Sequence, residues 1–513
     1  MLVCCLDLIL DSTQLISGSD MIKLSRRNVM QSAVAGTLAV GAGSFFWSSQ
    51  SFANHGSIPP SRLKIPPKLE GREVQGVQVY DLTLQNGKTV FVEGYQTQTS
   101  GINGTYLGPT LVMRNGNAVR INVTNQLGEA STLHWHGMHL PASQDGGPHQ
   151  LIANQGVWSP AFTIKQQAAS LWYHSHLMGQ TGAQVWRGLA GMLIIEDDEI
   201  QKLNLPNEYG VDDIPLILQD RSFTQNGQLD YGLSMHSKMM GKSGNLPLTN
   251  GTLVAYFEAK TTRLRLRLLN GSNASTYHLA LDNAQSFEQI ATDGGLLEAP
   301  VKLSMVRLAP GERAEIVVDL SAGQPITLQN ITQTSAGMMD ENNNATSLNF
   351  LEIRPHQKLT QTQATPEQLN RIEWLQETDA VKTRSFNLQM TMGMGAMMGG
   401  ANSHTINDKA MDMGRIDEVV KRGTTEIWQL SNTSMMPHPF HMHDVQFQIL
   451  DRDGRKPPAN EQGRKDVVLV HPGEVVRIIM RFEDYAEDAP FMYHCHILEH
   501  EDAGMMGQFL VVS

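Results

Sequence analysis

The chain reads as an all-β protein built from three consecutive copies of one antiparallel β-sandwich, and three observations carry that prediction. Short segments of alternating apolar and polar residues, punctuated by Gly, Pro and Asn, fill the chain beyond residue 54, with few long helical patterns. A strand theme recurs at wide intervals, at Asn115 to Asn125, Arg263 to Asn270 and Gly423 to Asn432, and such recurrence marks a repeated architecture. A second theme, Pro-Gly-Glu ahead of a β-branched strand, stands at Pro310-Gly311-Glu312 and again at Pro472-Gly473-Glu474. With 513 residues and 41% apolar composition the chain can bury several cores. Length alone suggests about three.

In chain order, residues 1–53 read as an export leader. Lys23-Leu24-Ser25-Arg26-Arg27-Asn28-Val29-Met30 resembles a twin-arginine signal, and a mildly apolar run follows through Phe45, Phe46 and Trp47. The small residues Ser51 and Ala53 fit signal-peptidase cleavage after Ala53. Ser32, Gly36, Gly41, Gly43 and Ser44 make the run too weakly apolar for a span, so no stable membrane insertion is expected. Residues ahead of Met21 read as an over-long start. A monomer in the periplasm, delivered by the twin-arginine export machinery, is the expectation.

The first sandwich is placed over 54–197, the second over 212–355 and the third over 382–513. The linkers are Asp198 to Asp213 and the Gln- and Thr-rich stretch from His356 to Ala380, which has room for a short helix. The strand theme leads to His134-Trp135-His136 in the first sandwich, to His278 alone in the second, and to His438, His441 and His443 in the third. Metal chemistry is therefore expected of the outer two.

A formal net charge of −12 argues against a nucleic-acid partner. Of the three cysteines, Cys4 and Cys5 lie in the leader, which leaves Cys495 without a partner for an intrachain disulfide. An exported protein that keeps one thiol needs a use for it, and metal ligation is such a use. The segment Met492 to Met506 gathers that thiol, three imidazoles and a thioether. A thiolate, two imidazoles and a distant Met sulfur form an electron-transfer copper site, and Cys495, His500 and Met505 supply three of the four. If the stretch is extended, Cys495 points to one face while His494 and His496 point to the other, toward a second metal site.

Random placement of 18 histidines among 513 positions gives about 0.6 His-X-His triplets. The chain has four, at His134/His136, His174/His176, His441/His443 and His494/His496. One pair alone would more often be a hydrogen-bonded core feature or a zinc site; four pairs beside a Cys and a Met at blue-copper spacing reverse that weighting. Eight imidazoles suit a compact trinuclear cluster, and His438, Cys495, His500 and Met505 suit a mononuclear centre. Zinc, with no redox chemistry, gives no reason to join a thiolate covalently to two ligands of another site.

His134-Trp135-His136-Gly137, Trp172-Tyr173-His174-Ser175-His176, His438-Pro439-Phe440-His441-Met442-His443 and the Cys495 segment resemble, in order, the four copper motifs of the multicopper oxidases. The likeness spans nearly all of the chain beyond the leader. It is most similar to the bacterial three-domain enzymes, the copper-efflux oxidases and related laccases, and Asp145-Gly146-Gly147-Pro148 and Asp293-Gly294-Gly295-Leu296 add to it. The resemblance implies cupredoxin-like Greek-key sandwiches and four copper ions. Type 1 copper would lie on His438, Cys495, His500 and axial Met505, and type 2 on His134 and His441. One type 3 copper would take His136, His174 and His496, its partner His176, His443 and His494, with the cluster between the first and third sandwiches.

The resemblance also implies the reaction. A substrate is oxidised one electron at a time at the type 1 copper, Cys495 passes electrons to His494 and His496, and the cluster reduces dioxygen to water. An axial Met such as Met505 tunes the first centre to a moderate potential. Proton delivery needs carboxylates within hydrogen-bond reach, and Glu501 and Asp145 match the acidic residues that serve in the resembling enzymes. The plainer reading makes both structural carboxylates of the surface.

The reductant is less determined. Met390, Met392, Met394, Met397 and Met398 crowd one segment, with Met411 and Met413 beyond it. Thioethers favour Cu(I), so these and Met436 could receive cuprous ion in a copper-tolerance role; a flexible Gly/Met loop is the bland alternative. Copper-efflux enzymes are similar at Met390 and Met436 but carry acidic residues where this chain has Gly395 and Ser434. Small aromatic reductants, phenols or aromatic amines, therefore stay open, while Mn(II) and Fe(II) want more carboxylates near His438 and His500. Two readings need no turnover: a metal-free periplasmic scaffold of cell division, whose known examples lack the ligand set, and a copper store, which has no need of a His-Cys-His bridge.

Overall fold

The computed structural model describes residues 58–331, 348–390 and 403–513. The leader expected over 1–53 lies outside them, as do Gly395 and Met392, Met394, Met397 and Met398 of the methionine segment.

Among the described residues strands pair into six sheets, two to each of three cupredoxin-like sandwiches, in the non-sequential orders of Greek-key connection. In the first, Ala169–His174, Ala190–Glu196 and Thr110–Arg114 form one sheet, and Val77–Thr89 lies parallel to Ala118–Gln126 in the other. The first copy of the strand theme explains the packing. Val119, Ile121 and Val123 face the core, Arg120 faces out, and Asn122 and Thr124 are half-buried, which is the period-2 alternation of a strand with one wet face. Leu84, Leu111, Trp135, Leu171 and Leu193 complete that core.

The second copy breaks the pattern. Across Arg263–Asn270 both faces are buried beyond the first residue, because Arg265 and Arg267 meet carboxylates rather than water. Arg267 forks onto Asp213 at 2.7 and 2.8 Å, and its Nη1 also donates to Ser170 of the first sandwich at 2.9 Å. Removing one partner of such a buried pair strands the other charge. An apolar seam of Val112, Trp172 and Met192 against Ile217 and Leu269 runs beside it. The short strand Ser61–Arg62 pairs parallel with Ala255 and Tyr256, so residues within the span 54–197 extend an edge of the middle sandwich.

The strand Leu348–Thr360 closes the middle sandwich, and the polar stretch after it holds one 3-10 turn at Glu377–Asp379. In the third sandwich Ala380–Met390, Thr424–Asn432 and Val475–Phe482 face Met506–Val512, Phe491–Cys495 and His438–Met442 across a core of Phe386, Trp428, Phe440 and Met480. Cys495 and Met505 belong to that core. No helix among the described residues is long and apolar enough to cross a membrane.

Candidate metal centre

The four His-X-His pairs converge on one buried place, and they do so from strand ends rather than strand interiors. His174 closes Ala169–His174, His441 is next to last in His438–Met442, His494 is next to last in Phe491–Cys495, and His134 to His136 lie in a turn bridged to His174. A continuous strand would keep both rings of a pair on one face. Within the pairs the ring centroids stand 4.9 to 5.9 Å apart, no farther than two residues along a strand would put them, so both rings of each pair face the same place.

His438, Cys495 and His500 form one group. Cys495 Sγ stands 3.4 Å from His438 Nδ1 and 3.6 Å from His500 Nδ1. Each ring turns its other nitrogen to an acceptor: His438 Nε2–H donates to Ser434 Oγ at 2.7 Å, and His500 Nε2–H donates to the carbonyl of Met239 at 2.8 Å. A proton on Nε2 leaves Nδ1 bare beside the sulfur. Burial pushes the Cys495 thiol well above its usual range and holds His438 down to about 3. An incoming ion therefore meets neutral imidazoles and must displace the thiol proton. Met505 is fully buried in the same core, and its carbonyl accepts the Cys495 N–H at 3.0 Å.

The remaining eight imidazoles form the trios His136/His174/His496, His176/His443/His494 and His134/His136/His441. Outward nitrogens are committed. Nδ1–H of His134 donates to the Asp145 carbonyl at 3.0 Å, that of His441 to the Asp466 carbonyl at 2.8 Å, and that of His174 to the Ser175 carbonyl at 2.8 Å. His443 Nδ1–H donates to Asp145 Oδ2 at 2.6 Å, and His136 reverses the choice, donating Nε2–H to Asp466 Oδ1 at 3.1 Å.

Inward nitrogens are bare. Nε2 of His134, His174 and His441, Nδ1 of His136 and both nitrogens of His496 are buried with no hydrogen-bond partner. His494 Nε2 lies 3.2 Å from Nε2 of both His176 and His443. Three nitrogens held tetrahedrally at about 2.0 Å from one ion would stand about 3.3 Å apart. Burial, with neighbouring imidazoles adding to it, keeps His136, His174, His176, His441, His494 and His496 well below the usual range, and His443 at about 4. Neutral imidazoles with converging lone pairs and a lone thiol are a donor set that copper fits.

Residues 83–200 and 382–513 match the sequence profiles of the multicopper oxidase family, and these spans hold every residue of the groups just described. The multicopper oxidase mco of Staphylococcus aureus is 38% identical over 446 residues, 86% of this chain and 90% of that protein. The chain belongs to the multicopper oxidase family. Among solved structures it is similar to a laccase-like multicopper oxidase CueO from Ochrobactrum sp., at 36% identity and a TM-score of 0.79, covering 88% of this chain and 100% of that one. It is also 34% identical to the cell division protein FtsP of Proteus mirabilis, over 95% of this chain and 98% of that protein.

In this multicopper oxidase two buried carboxyls touch the cluster imidazoles and are shifted in opposite directions. Burial pushes Asp145 up, but the imidazoles of His134 and His443 outweigh it and hold the carboxyl below its usual range. Glu501 shifts the other way: burial, with Asp502 and Glu499 adding charge, outweighs a hydrogen bond with Thr181 and raises it well above the carboxylate range. Its oxygens lie 3.2 Å from His176 Nδ1 and 3.4 Å from His494 Nδ1. Their surroundings thus shift the two carboxyls in opposite directions, the pattern from which acid and base roles are divided.

Sequence reasoning missed the groups that orient the ligands. Met239 sits in the helix Met235–Met240, and His404 stacks on His500 with centroids 4.2 Å apart. Ser434 stood out only as a departure from a pattern, and nothing in the chain singled out Asp466 or Arg313. Of the methionines, Met390 is partly buried against the third core, Met436 lies within it, and Met435 beside it is 69% exposed.

Proposed function

We propose that this chain couples one-electron oxidation of a reductant to the four-electron reduction of dioxygen to water. His438, Cys495, His500 and Met505 would hold type 1 copper, and His134 and His441 type 2. The type 3 ions would fall to His136, His174 and His496 on one side and to His176, His443 and His494 on the other. The observation that carries this reading is the bridge at 494–496: Cys495 belongs to the mononuclear group, while His494 and His496 enter two different trios. Copper, when bound, supplies the one-electron redox change and the binding of dioxygen.

The chain's own residues supply the rest. Cys495 and its two neighbours form a covalent path between the groups. Every ligand imidazole is at most 1% exposed, which keeps bulk water from the cluster. Asp145 orients His134 and His443, and Glu501 holds a proton beside His176 and His494. Three cores support a division into three sandwiches near 54–197, 212–355 and 382–513, with Leu63 a member of the middle core rather than the first. The twin-arginine motif supports export to the periplasm, and a monomer is the state we expect.

Cuprous ion is the reductant we favour, in a copper-tolerance role, because exposed Met435 adjoins Met436 close in sequence to His438 and the methionine segment continues from Met390. Oxygen uptake with Cu(I), a dimethoxyphenol and Mn(II) tests this. Replacing Met392, Met394, Met397 and Met398 together by Leu should depress cuprous turnover and spare phenol turnover. Equal cuprous turnover in that variant would leave the phenol reading in its place. The likeness to FtsP favours a second reading, a scaffold without metal. A visible spectrum of copper-loaded protein separates the two: a strong band toward the red with a near-ultraviolet shoulder is expected of the oxidase and absent from a scaffold.

A further inference from the structure

We infer that Arg313, on a strand of the middle sandwich and outside every ligand group, positions the cluster. Through Asp466 it fixes which nitrogen of His136 faces inward and anchors the carbonyl on which His441 is oriented. The inference rests on the reading of these two imidazoles as copper ligands.

Arg313 opens the strand Arg313–Asp319 and is buried to the tip of its side chain. A guanidinium has five N–H donors, and each finds an acceptor. Nε donates to the Ser170 carbonyl at 3.0 Å, in the first sandwich. Nη1 donates to the Gly311 carbonyl at 3.1 Å and Nη2 to the Asp293 carbonyl at 2.9 Å, both in the middle one. The remaining two form a fork onto Asp466 of the third, Nη1 to Oδ1 and Nη2 to Oδ2, each at 2.6 Å. A single side chain thus ties all three sandwiches at one dry point, and a bidentate fork fixes the plane of the carboxylate it grips.

That plane sets the ligands. Asp466 Oδ1 receives Nε2–H of His136, so the proton sits on Nε2 and the bare Nδ1 faces the cluster. The backbone carbonyl of the same residue receives Nδ1–H of His441, which makes Nε2 the bare nitrogen there. One residue therefore imposes opposite tautomers on two rings that stack 3.7 Å apart.

The sequence motifs of the middle sandwich serve this arrangement. Asp293 accepts the Arg313 backbone N–H at 2.8 Å and Lys465 Nζ at 2.8 Å, pinning the segment with Asp466 just ahead of the strand Val467–Val470. In the first copper motif, Gly137 has φ +86°, and a Cβ there would lie 2.6 Å from Asp466 Oδ2 and 2.7 Å from Arg313 Nη2. The glycine keeps open the space the ion pair fills. Gly311 of the Pro-Gly-Glu turn packs likewise against His496, whose ring a Cβ would meet at 3.0 Å.

The test is R313K in the full-length, copper-loaded protein, read by metal content and electron paramagnetic resonance. Lysine keeps the charge and loses the fork. We expect copper to fall from about four to about three ions per chain, with the type 2 signal lost or its hyperfine splitting changed and the type 1 band kept per chain. In metal-free protein, the nitrogen chemical shifts of His136 should report an Nε2–H tautomer in wild type and a mixture in R313K. Wild-type copper content and an unaltered type 2 signal in folded R313K would overturn the inference. If R313K does not fold, R313M/D466N, which removes both charges at similar volume, is read in the same way. Failure of both to fold would make Arg313 a residue of folding alone and overturn the positioning role. Absence of a type 2 signal from wild type would overturn the copper reading together with this one.

Discussion

Replacing Glu501 by Gln isolates proton delivery from everything else at the cluster. The two side chains are nearly isosteric, so the substitution keeps the volume and an acceptor oxygen beside the Thr181 hydroxyl. It removes only a proton that can be given up. General acid catalysis contributes about 10² to 10⁴ in rate, or about 2.7 to 5.4 kcal/mol of barrier. Reoxidation of the fully reduced enzyme by dioxygen, followed by stopped flow through recovery of the blue band at neutral pH, should slow by that factor. The band itself should be unchanged. Stability gives an internal control. A carboxyl raised in the folded state contributes fully below its unfolded value near 4.5, and that contribution is lost as pH climbs toward the folded one. Removing it at pH 7 to 8 should therefore leave thermal stability equal or higher. Wild-type reoxidation should decline as rising pH strips the Glu501 proton, and the variant should lack that limb. Unchanged reoxidation across pH would take Glu501 out of the proton path.

Three further outcomes follow from the same geometry. Cys495→Ser should abolish the blue band and oxygen uptake together, and a variant that keeps both would sink the bridge between the groups. Ser434→Asp sets a carboxylate where a hydroxyl now accepts from His438 at 2.7 Å; a unit charge several ångströms from the metal acts with about 2 kcal/mol at an effective dielectric of 20, so the type 1 potential should fall by on the order of 100 mV. A redox titration showing a rise would refute it. Metal-free protein should lose stability as pH falls below the unfolded imidazole value of about 6.5 toward 4, by about 1.4 kcal/mol per pH unit for each imidazole kept neutral. The depressed imidazoles, His438 at about 3 and His443 at about 4 among them, outnumber Glu499, Glu501, Asp502 and Asp444, whose raised carboxyls act in the opposite sense. Equal melting temperatures at pH 4.5 and 6.5 would refute the neutral assignment.

The ligand candidates were legible because metal binding constrains residue type and spacing together: His at two-residue intervals, Cys495 between two of them, Met505 beyond. The orientation of the rings was not legible. It is set by the carbonyls of Asp145, Ser175, Met239 and Asp466, and a carbonyl carries no residue identity for a sequence to display. The same limit hid the part taken by the middle sandwich. Arg-Leu alternation announces the strand Arg263–Asn270, but only the fold reveals that its polar face is covered and that Arg265 and Arg267 are spent on Glu315 and Asp213. Ser61–Arg62 joins the middle sandwich through parallel backbone pairing, which no side-chain pattern foretells.

The bare nitrogens also bear on why a fold shared with cell division proteins carries this site. Leaving one buried polar atom unsatisfied costs on the order of 1–3 kcal/mol. His134, His136, His174, His441 and both nitrogens of His496 together would then cost an amount comparable to the whole net stability of a typical domain, about 5–15 kcal/mol. A protein with only a scaffolding role gains nothing from such an arrangement, since apolar side chains of similar volume would fill the same space more favourably. A cation at the convergence of those lone pairs reverses the sign, turning each unsatisfied atom into a bond. The site is an unstable way to build a sandwich interface and a reasonable way to hold copper, and that asymmetry favours the oxidase.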